Sequence, residues 1–129
     1  MTAVQPQLWV DRAAAAIEFY RAAFGAEVAH RVGDGEDVVA QLTIGDAAFW
    51  IAATTPGGDR LLPTDAGGTT GRTLLVVDDP DAIFAQAVTA GAAVRSPVAE
   101  EHHWRVGRIL DPFGHEWEIG TPTIPWPPH

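Results

Sequence analysis

Residues 111–119, with the sequence DPFGHEWEI, decide the fold of this chain. Pro112 fixes φ and Gly114 can adopt the positive φ of a tight turn, so Asp-Pro-Phe-Gly predicts a turn. After the turn, two glutamates alternate with Trp117 and Ile119, which is the period of a half-buried strand. The returning strand therefore carries two carboxylates on one face, where a ligand or a metal could meet them, and two large apolar groups on the other.

The composition describes an ordinary globular protein and excludes several kinds of chemistry. The chain has 129 residues, 47% of them hydrophobic and 19% charged, which suffices for a core. Cysteine is absent, which excludes disulfides, zinc–thiolate sites and thiol catalysis. The net charge of -9 argues against nucleic-acid binding and favours a cationic ligand. Because there is no long apolar run and no basic-then-apolar leader, we expect a cytoplasmic protein without a membrane partner.

The chain contains an internal repeat. Each copy has a strand, a helix with one apolar face, and a glycine where the helix ends. The predicted bounds are 7–11, 13–24 and Gly25 in the first copy, and 73–78, 80–90 and Gly91 in the second. The two copies align with about one gap, and such self-similarity is typical of two copies of one supersecondary unit.

Each predicted helix is followed by further strands. Alternating residues predict one hairpin over 36–53 and another over 104–120, so that each copy has the order β-α-β-β-β. This pattern predicts an α+β protein.

The chain is predicted to form a single domain in four parts. Gly, Pro and Thr are frequent in residues 55–71, which predicts a linker. Four prolines in residues 121–129 predict an extended tail that cannot join a central strand. Module 1 then covers 1–54 and module 2 covers 72–120.

This arrangement resembles the vicinal oxygen chelate superfamily, which includes glyoxalase I, bleomycin-resistance proteins, extradiol dioxygenases and PhnB-like proteins. The resemblance rests on the Ile-Glu-Phe-Tyr helix that ends at residues 24–26 and on the closing Asp-Pro-Phe-Gly-His hairpin with Trp117. It leans toward the PhnB-like and antibiotic-binding branches. It implies that the eight strands form a curved, cup-like sheet with helices on its outer face. It also implies a ligand site inside the cup and a homodimer.

The resemblance also locates the metal ligands that the superfamily's metalloenzymes take from four strands. These positions fall on Gln5, near Ala52, on Arg72 and on Glu118. Glu118 is a strong ligand and Gln5 a weak one, whereas a guanidinium cannot coordinate a metal. A zinc or nickel site needs three or four N or O ligands in fixed geometry, so we expect no metal cofactor.

The alternative is a divalent-metal-dependent enzyme of glyoxalase-like lyase, isomerase or dioxygenase type. In it, Gln5 and Glu118 would hold Zn, Ni, Mn or Fe, with one histidine of the His102-His103 pair as a further ligand. Two adjacent histidines on a strand point to opposite faces, so at most one of them would reach the cup. The competing interpretation of this pair is a solvent-exposed start of a strand.

Aromatic residues supply the other candidate contacts. Trp9 and Trp50 alternate with apolar neighbours that would pack under the helices, so both are predicted to face the cup. They would either stack on a flat ligand or fill the cup or the dimer interface. Trp117 is predicted to lie in the core. Trp126, in the tail, would form a lid, dock on a partner subunit or belong to a disordered end.

The first functional hypothesis is a metal-independent protein of the bleomycin-resistance or PhnB-like kind, which binds a small aromatic or cationic molecule. Antibiotic resistance is one outcome of such sequestration. The predicted ligand-binding residues are Gln7, Trp9, Gln41, Trp50, Arg72, His103 and Glu118. Arg72 and Glu118 would form an ion pair at the floor of the cup, either for a ligand or in place of the lost metal. A further hypothesis is a cup plugged by its own tryptophans, acting through its dimer surface.

Overall fold

The computed structural model describes residues 1–34, 37–54 and 59–128. In these ranges, two β-α-β-β-β units follow one another, joined by a segment with one short helix. The elements are β1 Gln7–Val10, α1 Ala13–Phe24, β2 Glu27–Val32, β3 Val39–Ile44, β4 Ala47–Ala53, α2 Pro63–Ala66, β5 Thr73–Val76, α3 Pro80–Ala90, β6 Ala93–Glu101, β7 Trp104–Leu110 and β8 Glu116–Pro122. The predicted α+β class with two tandem modules is confirmed. Within the described ranges, no helix is long and apolar enough to cross a membrane.

The strands form two four-stranded sheets with the same internal order. The first has the order β1-β4-β3-β2 and the second β5-β8-β7-β6. In each sheet the first strand of the module runs parallel to the last, and the remaining pairs are antiparallel. Gln7 lies opposite Trp50 in the first sheet, and Leu74 lies opposite Glu118 in the second. The repeat found in the sequence is therefore a repeat of strand register as well.

Both long helices begin and end where the sequence predicts. Gly25 follows α1 with φ 69°, and the N–H groups of Gly25 and Ala26 donate to the carbonyls of Arg21 and Tyr20 in the last turn. This is the left-handed conformation that glycine adopts without a steric penalty. Pro80 opens α3, and the carboxylate of Asp79 accepts a hydrogen bond of 3.2 Å from the N–H of Ala82. Asp79 thus caps one of the free N–H groups at the start of that helix.

One aromatic cluster joins the two modules. The ring of Trp117 in β8 lies 4.9 Å from that of Phe24 in α1 and 5.4 Å from that of Phe49 in β4, measured between centroids. Tyr20 packs against all three rings. Trp117 is 2% exposed, which confirms its predicted place in the core. Both sheets therefore direct one face toward a shared core, and we call the opposite face of each sheet its open face.

Asp111 organises the turn that opens the deciding stretch. It is 3% exposed, and its Oδ1 accepts hydrogen bonds from the backbone N–H of Phe113 (2.9 Å) and His115 (3.0 Å). Its Oδ2 accepts hydrogen bonds from the hydroxyl of Tyr20 and from Nε1 of Trp117 (3.0 Å). Four donors thus compensate the cost of burying this carboxylate. The turn is thereby fixed to the core, and β8 starts in a defined register.

Two predictions about local structure are wrong. The His102-His103 pair does not lie on a strand, because Glu101 pairs with Trp104 and leaves only two residues to reverse the chain. The histidines adopt φ values of 49° and 69°, as in a tight two-residue hairpin turn. The tail prediction also fails at its start, because β8 extends to Pro122, which pairs with Trp104. Since β5 ends opposite residue 120, Pro122 lies where β8 has a neighbour on one side, and a proline is tolerated there.

The described part of the predicted linker lies against the hairpin of module 2. The linker contains α2, and its residues 55–58 lie outside the described ranges. A side chain at Gly114 would place its Cβ 2.8 Å from Cβ of Pro63, so glycine is required there for close packing as well as for its φ of 88°. Pro63 of the linker also lines two cavities that border Glu116.

Candidate functional site

The open face of the first sheet brings two predicted ligand-binding residues into one hydrogen-bonded group with Gln5. Gln41 lies opposite Trp50 across β3 and β4, and both are half-buried. Oε1 of Gln5 accepts hydrogen bonds from Nε1 of Trp50 (2.8 Å) and Nε2 of Gln41 (3.1 Å). We call these three residues the amide triad. Gln5, which the resemblance gave as a weak metal ligand, is thus the centre of an uncharged network.

Trp9 on β1 lies on the same open face as Trp50 on β4. It is two residues beyond Gln7, which is the register partner of Trp50. Its partner across the parallel pair is Ala52, and its side chain is 37% exposed. The guanidinium of Arg60 lies 6.0 Å from its ring centre, at the outer limit of a cation–π contact. The backbone carbonyl oxygen of Trp9 lies 2.8 Å from Nε2 of His115, and this contact connects β1 to the hairpin of module 2.

The open face of the second sheet carries an ion network centred on Glu118. Arg72 places Nε 3.3 Å from Oε1 of Glu118, so the predicted pair is present. Arg108 donates from Nε to Oε2 of Glu118 (2.8 Å) and from its two terminal nitrogens to Glu101 (3.2 and 3.4 Å). Arg72 also lies 3.9 Å from Glu116. We call Arg72, Arg108, Glu101 and Glu118 the ion network.

Hydrogen bonds within the ion network favour the charged form of Arg108. The pKa of Arg108 is raised, chiefly by its hydrogen bond to Glu101 and also by its hydrogen bond to Glu118, against an opposing effect of burial. The side chains of Arg108 and Glu118 are 22% and 18% exposed. Charge-assisted, forked contacts of this kind fix side-chain positions more strongly than neutral hydrogen bonds do.

The amide triad and the ion network occupy equivalent positions in the two modules. The register that places Gln41 opposite Trp50 also places Arg108 opposite Glu118. Gln5 and Arg72 precede the first strands of their modules, and each bonds to the residue on the last strand. The module 1 counterpart of Glu118 is therefore Trp50, which corrects the sequence-based position near Ala52.

The residues of these two groups do not suit a divalent metal. Within residues 1–34, 37–54 and 59–128, no three His, Asp or Glu side chains come together as a possible metal site. Both oxygens of Glu118 face guanidinium nitrogens, and the side-chain oxygen of Gln5 already accepts two hydrogen bonds. A cation placed beside Glu118 would meet the positive charges of Arg72 and Arg108, so the donor set does not fit a metal.

A cavity of about 240 Å³ adjoins the ion network. Its lining combines apolar and charged groups: Leu74, Glu101, His102, Trp104, Val106, Arg108 and Glu118. Trp126 from the tail packs edge-on against Trp104, with 5.4 Å between ring centres, so the tail returns to this cavity. His102 belongs to this lining, whereas the predicted residue, His103, accepts a hydrogen bond of 2.8 Å from the N–H of Thr123 through its carbonyl oxygen.

A second cavity, of about 450 Å³, lies between β1 and the linker. Gln7 and Arg72 both line it, together with His115 and Glu116. The seven predicted residues therefore form groups in different places. Gln41 and Trp50 meet through Gln5, Arg72 pairs with Glu118, and Gln7 shares a cavity with Arg72.

Sequence reasoning missed three contributors: Arg108, Glu101 and Trp104. A signal for Arg108 was available, because the turn at 111–114 sets the register of the two strands that it joins. Counting outward from that turn pairs residue 110 with 116 and 108 with 118. Glu101 and Trp104 depend on the His102-His103 turn, which has no glycine, asparagine or aspartate to reveal it.

Comparison with known proteins agrees with this architecture. Residues 2–119 match the Glyoxalase/Bleomycin resistance protein/Dioxygenase superfamily, so the chain belongs to that superfamily. An uncharacterized protein of Mycobacterium bovis is 41% identical over 128 residues, covering 94% of this chain and 84% of that protein.

Solved structures show the same fold. A gene product of Arabidopsis thaliana has a TM-score of 0.70 at 25% identity, covering 94% of this chain and 99% of that one. The fosfomycin resistance protein FosX of Mesorhizobium loti has a TM-score of 0.71 at 17% identity, covering 95% of this chain and 93% of that one.

Proposed function

We propose that this protein binds a small aromatic or cationic molecule on its open faces without the metal of the superfamily's enzymes. It acts in the manner of a bleomycin-resistance protein, in the cytoplasm and as a homodimer. Sequestration requires affinity and no chemical step, and removal of an antibiotic is one role that such a protein serves. Membership in a superfamily that includes resistance proteins supports this proposal.

The observation that carries the proposal is the environment of Glu118. The resemblance gives this position a metal, and here the carboxylate faces two guanidinium groups at 2.8 and 3.3 Å. Half-exposed aromatic surface remains beside it and in module 1, at Trp104, Trp50 and Trp9. Aromatic walls with a few fixed polar groups are typical of small-molecule sites.

The test measures metal content and ligand binding on the same preparations. The protein and Glu118→Gln are dialysed against Ni²⁺ or Zn²⁺ and then against metal-free buffer, and their metal is determined by elemental analysis before a chelator is added. Quenching of tryptophan fluorescence by 1-methylquinolinium and 2-quinolone is measured before and after chelation. We expect far less than one metal ion per subunit in either protein and equal quenching in both conditions.

The opposite result would support the metal-dependent alternative. About one metal ion per subunit, lost in Glu118→Gln, would indicate a glyoxalase-like or dioxygenase-type enzyme. Far-ultraviolet circular dichroism of the variant establishes that any loss of metal is not a loss of folding. Light scattering on the same samples tests the homodimer, and a monomeric mass would contradict that part of the proposal.

A further inference from the structure

We propose that the amide triad is a recognition site for an uncharged, flat ligand that carries an amide or lactam group. This inference rests on the proposed small-molecule-binding function and names the chemical class of ligand that module 1 accepts. It assigns recognition to Gln5 and Gln41 and stacking to Trp50 and Trp9.

The orientation of both side-chain amides follows from one donor. The indole N–H of Trp50 can only donate, so the Gln5 atom that it meets at 2.8 Å must be the oxygen. The Gln41 atom that meets the same oxygen at 3.1 Å must then be its NH₂ group. Trp50 thus fixes the orientation of two amides that would otherwise be interchangeable.

This arrangement leaves one donor group and one acceptor group for a ligand. The NH₂ group of Gln5 and the carbonyl oxygen of Gln41 have no partner among the hydrogen bonds of the described residues. Both side chains are half-buried, and neither free group is fully enclosed, so a ligand can reach them. The carbonyl oxygen of a ligand amide would accept a hydrogen bond from the NH₂ group of Gln5, and the ligand N–H would donate to the carbonyl oxygen of Gln41. Such pairing is worth most where the groups are partly desolvated.

The contrast with module 2 favours an uncharged ligand in module 1. The carboxylates of Glu118 and Glu101 are each engaged by guanidinium nitrogens, so the charged groups of the open face bond to one another. In the amide triad every member is neutral. A cation placed there would meet the Gln5 NH₂ group, which cannot accept a hydrogen bond, and would gain no compensating charge.

The aromatic residues determine the shape of the ligand. The indole N–H of Trp50 donates to Gln5 on the open face of the first sheet, so the ring is held in one orientation beside the two amides. Trp9 presents a 37% exposed ring one register step away on the adjacent strand. Two indoles on one face offer offset or edge-on contact to a planar ring system. A bicyclic lactam matches both the polar and the aromatic part of this surface.

The test compares three bicyclic probes of similar size by quenching of tryptophan fluorescence. 2-Quinolone carries the amide N–H and C=O, 1-methyl-2-quinolone lacks the N–H, and 1-methylquinolinium carries a charge. We expect 2-quinolone to bind, and methylation of its nitrogen to weaken binding by about tenfold because the Gln41 carbonyl is left without a donor.

A change of specificity in Gln5→Glu separates recognition from simple loss of structure. Glutamate keeps the oxygen that Trp50 and Gln41 need and replaces the NH₂ donor with an acceptor. We expect Gln5→Glu to lose affinity for 2-quinolone by about tenfold or more and to gain affinity for protonated 2-aminoquinoline, which presents two donors. Ala47→Glu, which adds the same charge at an exposed position of β4, should retain 2-quinolone binding.

Each outcome decides between the two proposals. Binding of 1-methylquinolinium without 2-quinolone would overturn the amide site and leave the proposed function standing. Equal binding of 2-quinolone by the wild-type protein and Gln5→Glu would also overturn the amide site. No quenching by any of the three probes would contradict the proposed function itself.

Discussion

Tyr20 and Asp111 connect the deciding stretch to the rest of the protein through one buried contact. The Tyr20 hydroxyl donates to Asp111, whose other oxygen holds the backbone of the turn. Burial, and then the negative charge of Asp111, raise the pKa of Tyr20 well above its ordinary value. Ionisation of Tyr20 would place two negative charges side by side in the core, so the folded state strongly favours the neutral phenol.

Substitution of Tyr20 by phenylalanine should change how stability depends on pH. Tyr20 ionises near pH 10 in the unfolded chain and at higher pH in the folded protein. The stability that neutral Tyr20 contributes to the folded state is therefore complete below about pH 10 and is lost as the pH rises further. Tyr20→Phe should cost about 1–3 kcal/mol at neutral pH, because Asp111 loses one donor. Above about pH 10 the free energy of unfolding of Tyr20→Phe should decline less steeply than that of the wild-type protein.

Urea unfolding at pH 7, 10 and 11 measures this difference. Tyr20 is the only tyrosine in the chain, so tyrosinate absorbance reports its ionisation directly. An ordinary tyrosine titration in the folded protein, or parallel pH profiles for the two proteins, would contradict the prediction. Phe19→Leu, a substitution in the same core that removes no ionisable group, is the control for a general loss of stability.

At the scale of elements, the β6–β7 hairpin is held in a conformation that its turn residues do not favour. His102 and His103 both have positive φ, where most side chains crowd the backbone. The turn is nevertheless fixed from both sides, because Glu101 pairs with Trp104 and the His103 carbonyl accepts the N–H of Thr123. The surrounding sheet therefore maintains a turn that local sequence would not select.

Glycine at position 103 should stabilise the protein. Two-residue hairpins of this type favour glycine at the second turn position, so His103→Gly should raise the free energy of unfolding by about 0.5–1 kcal/mol. His103→Ala, which also removes the imidazole but keeps a Cβ at positive φ, should give no such gain. Urea or thermal unfolding of the three proteins compares them, and a lower stability of His103→Gly would show that the imidazole itself is needed.

The elements differ in how much of their structure the sequence alone could predict. The helices were predictable because Gly25 and Gly91 end them and their apolar residues recur at helical spacing. The His102-His103 turn was not, since its conformation is imposed by the strands on either side. Trp126 contacts Trp104 through a return of the tail that no periodic pattern encodes. Local signals therefore predicted elements, whereas contacts between distant elements determined most of the candidate site.

At the scale of the whole molecule, the two modules share a core but differ on their open faces. The same strand register carries a neutral amide triad in module 1 and an ion network in module 2. The core faces of both modules are apolar, and Phe24, Phe49 and Trp117 pack on one another across the modules. Packing constrains one side of each sheet, and the other side is free to diverge in chemistry.

This shared core predicts that the modules unfold together. Phe49→Ala, in module 1, removes a ring that contacts Trp117 of module 2 and should cost about 3–5 kcal/mol. If the core is continuous, this loss should lower the protection of β7 amides against hydrogen exchange as much as that of β3 amides, because both open in one cooperative step. Val94→Ala, at an exposed position of β6, should leave both sets nearly unchanged. Retained protection of β7 in Phe49→Ala would instead mean that module 2 is stable on its own, and that the cluster around Trp117 links two separate folding units.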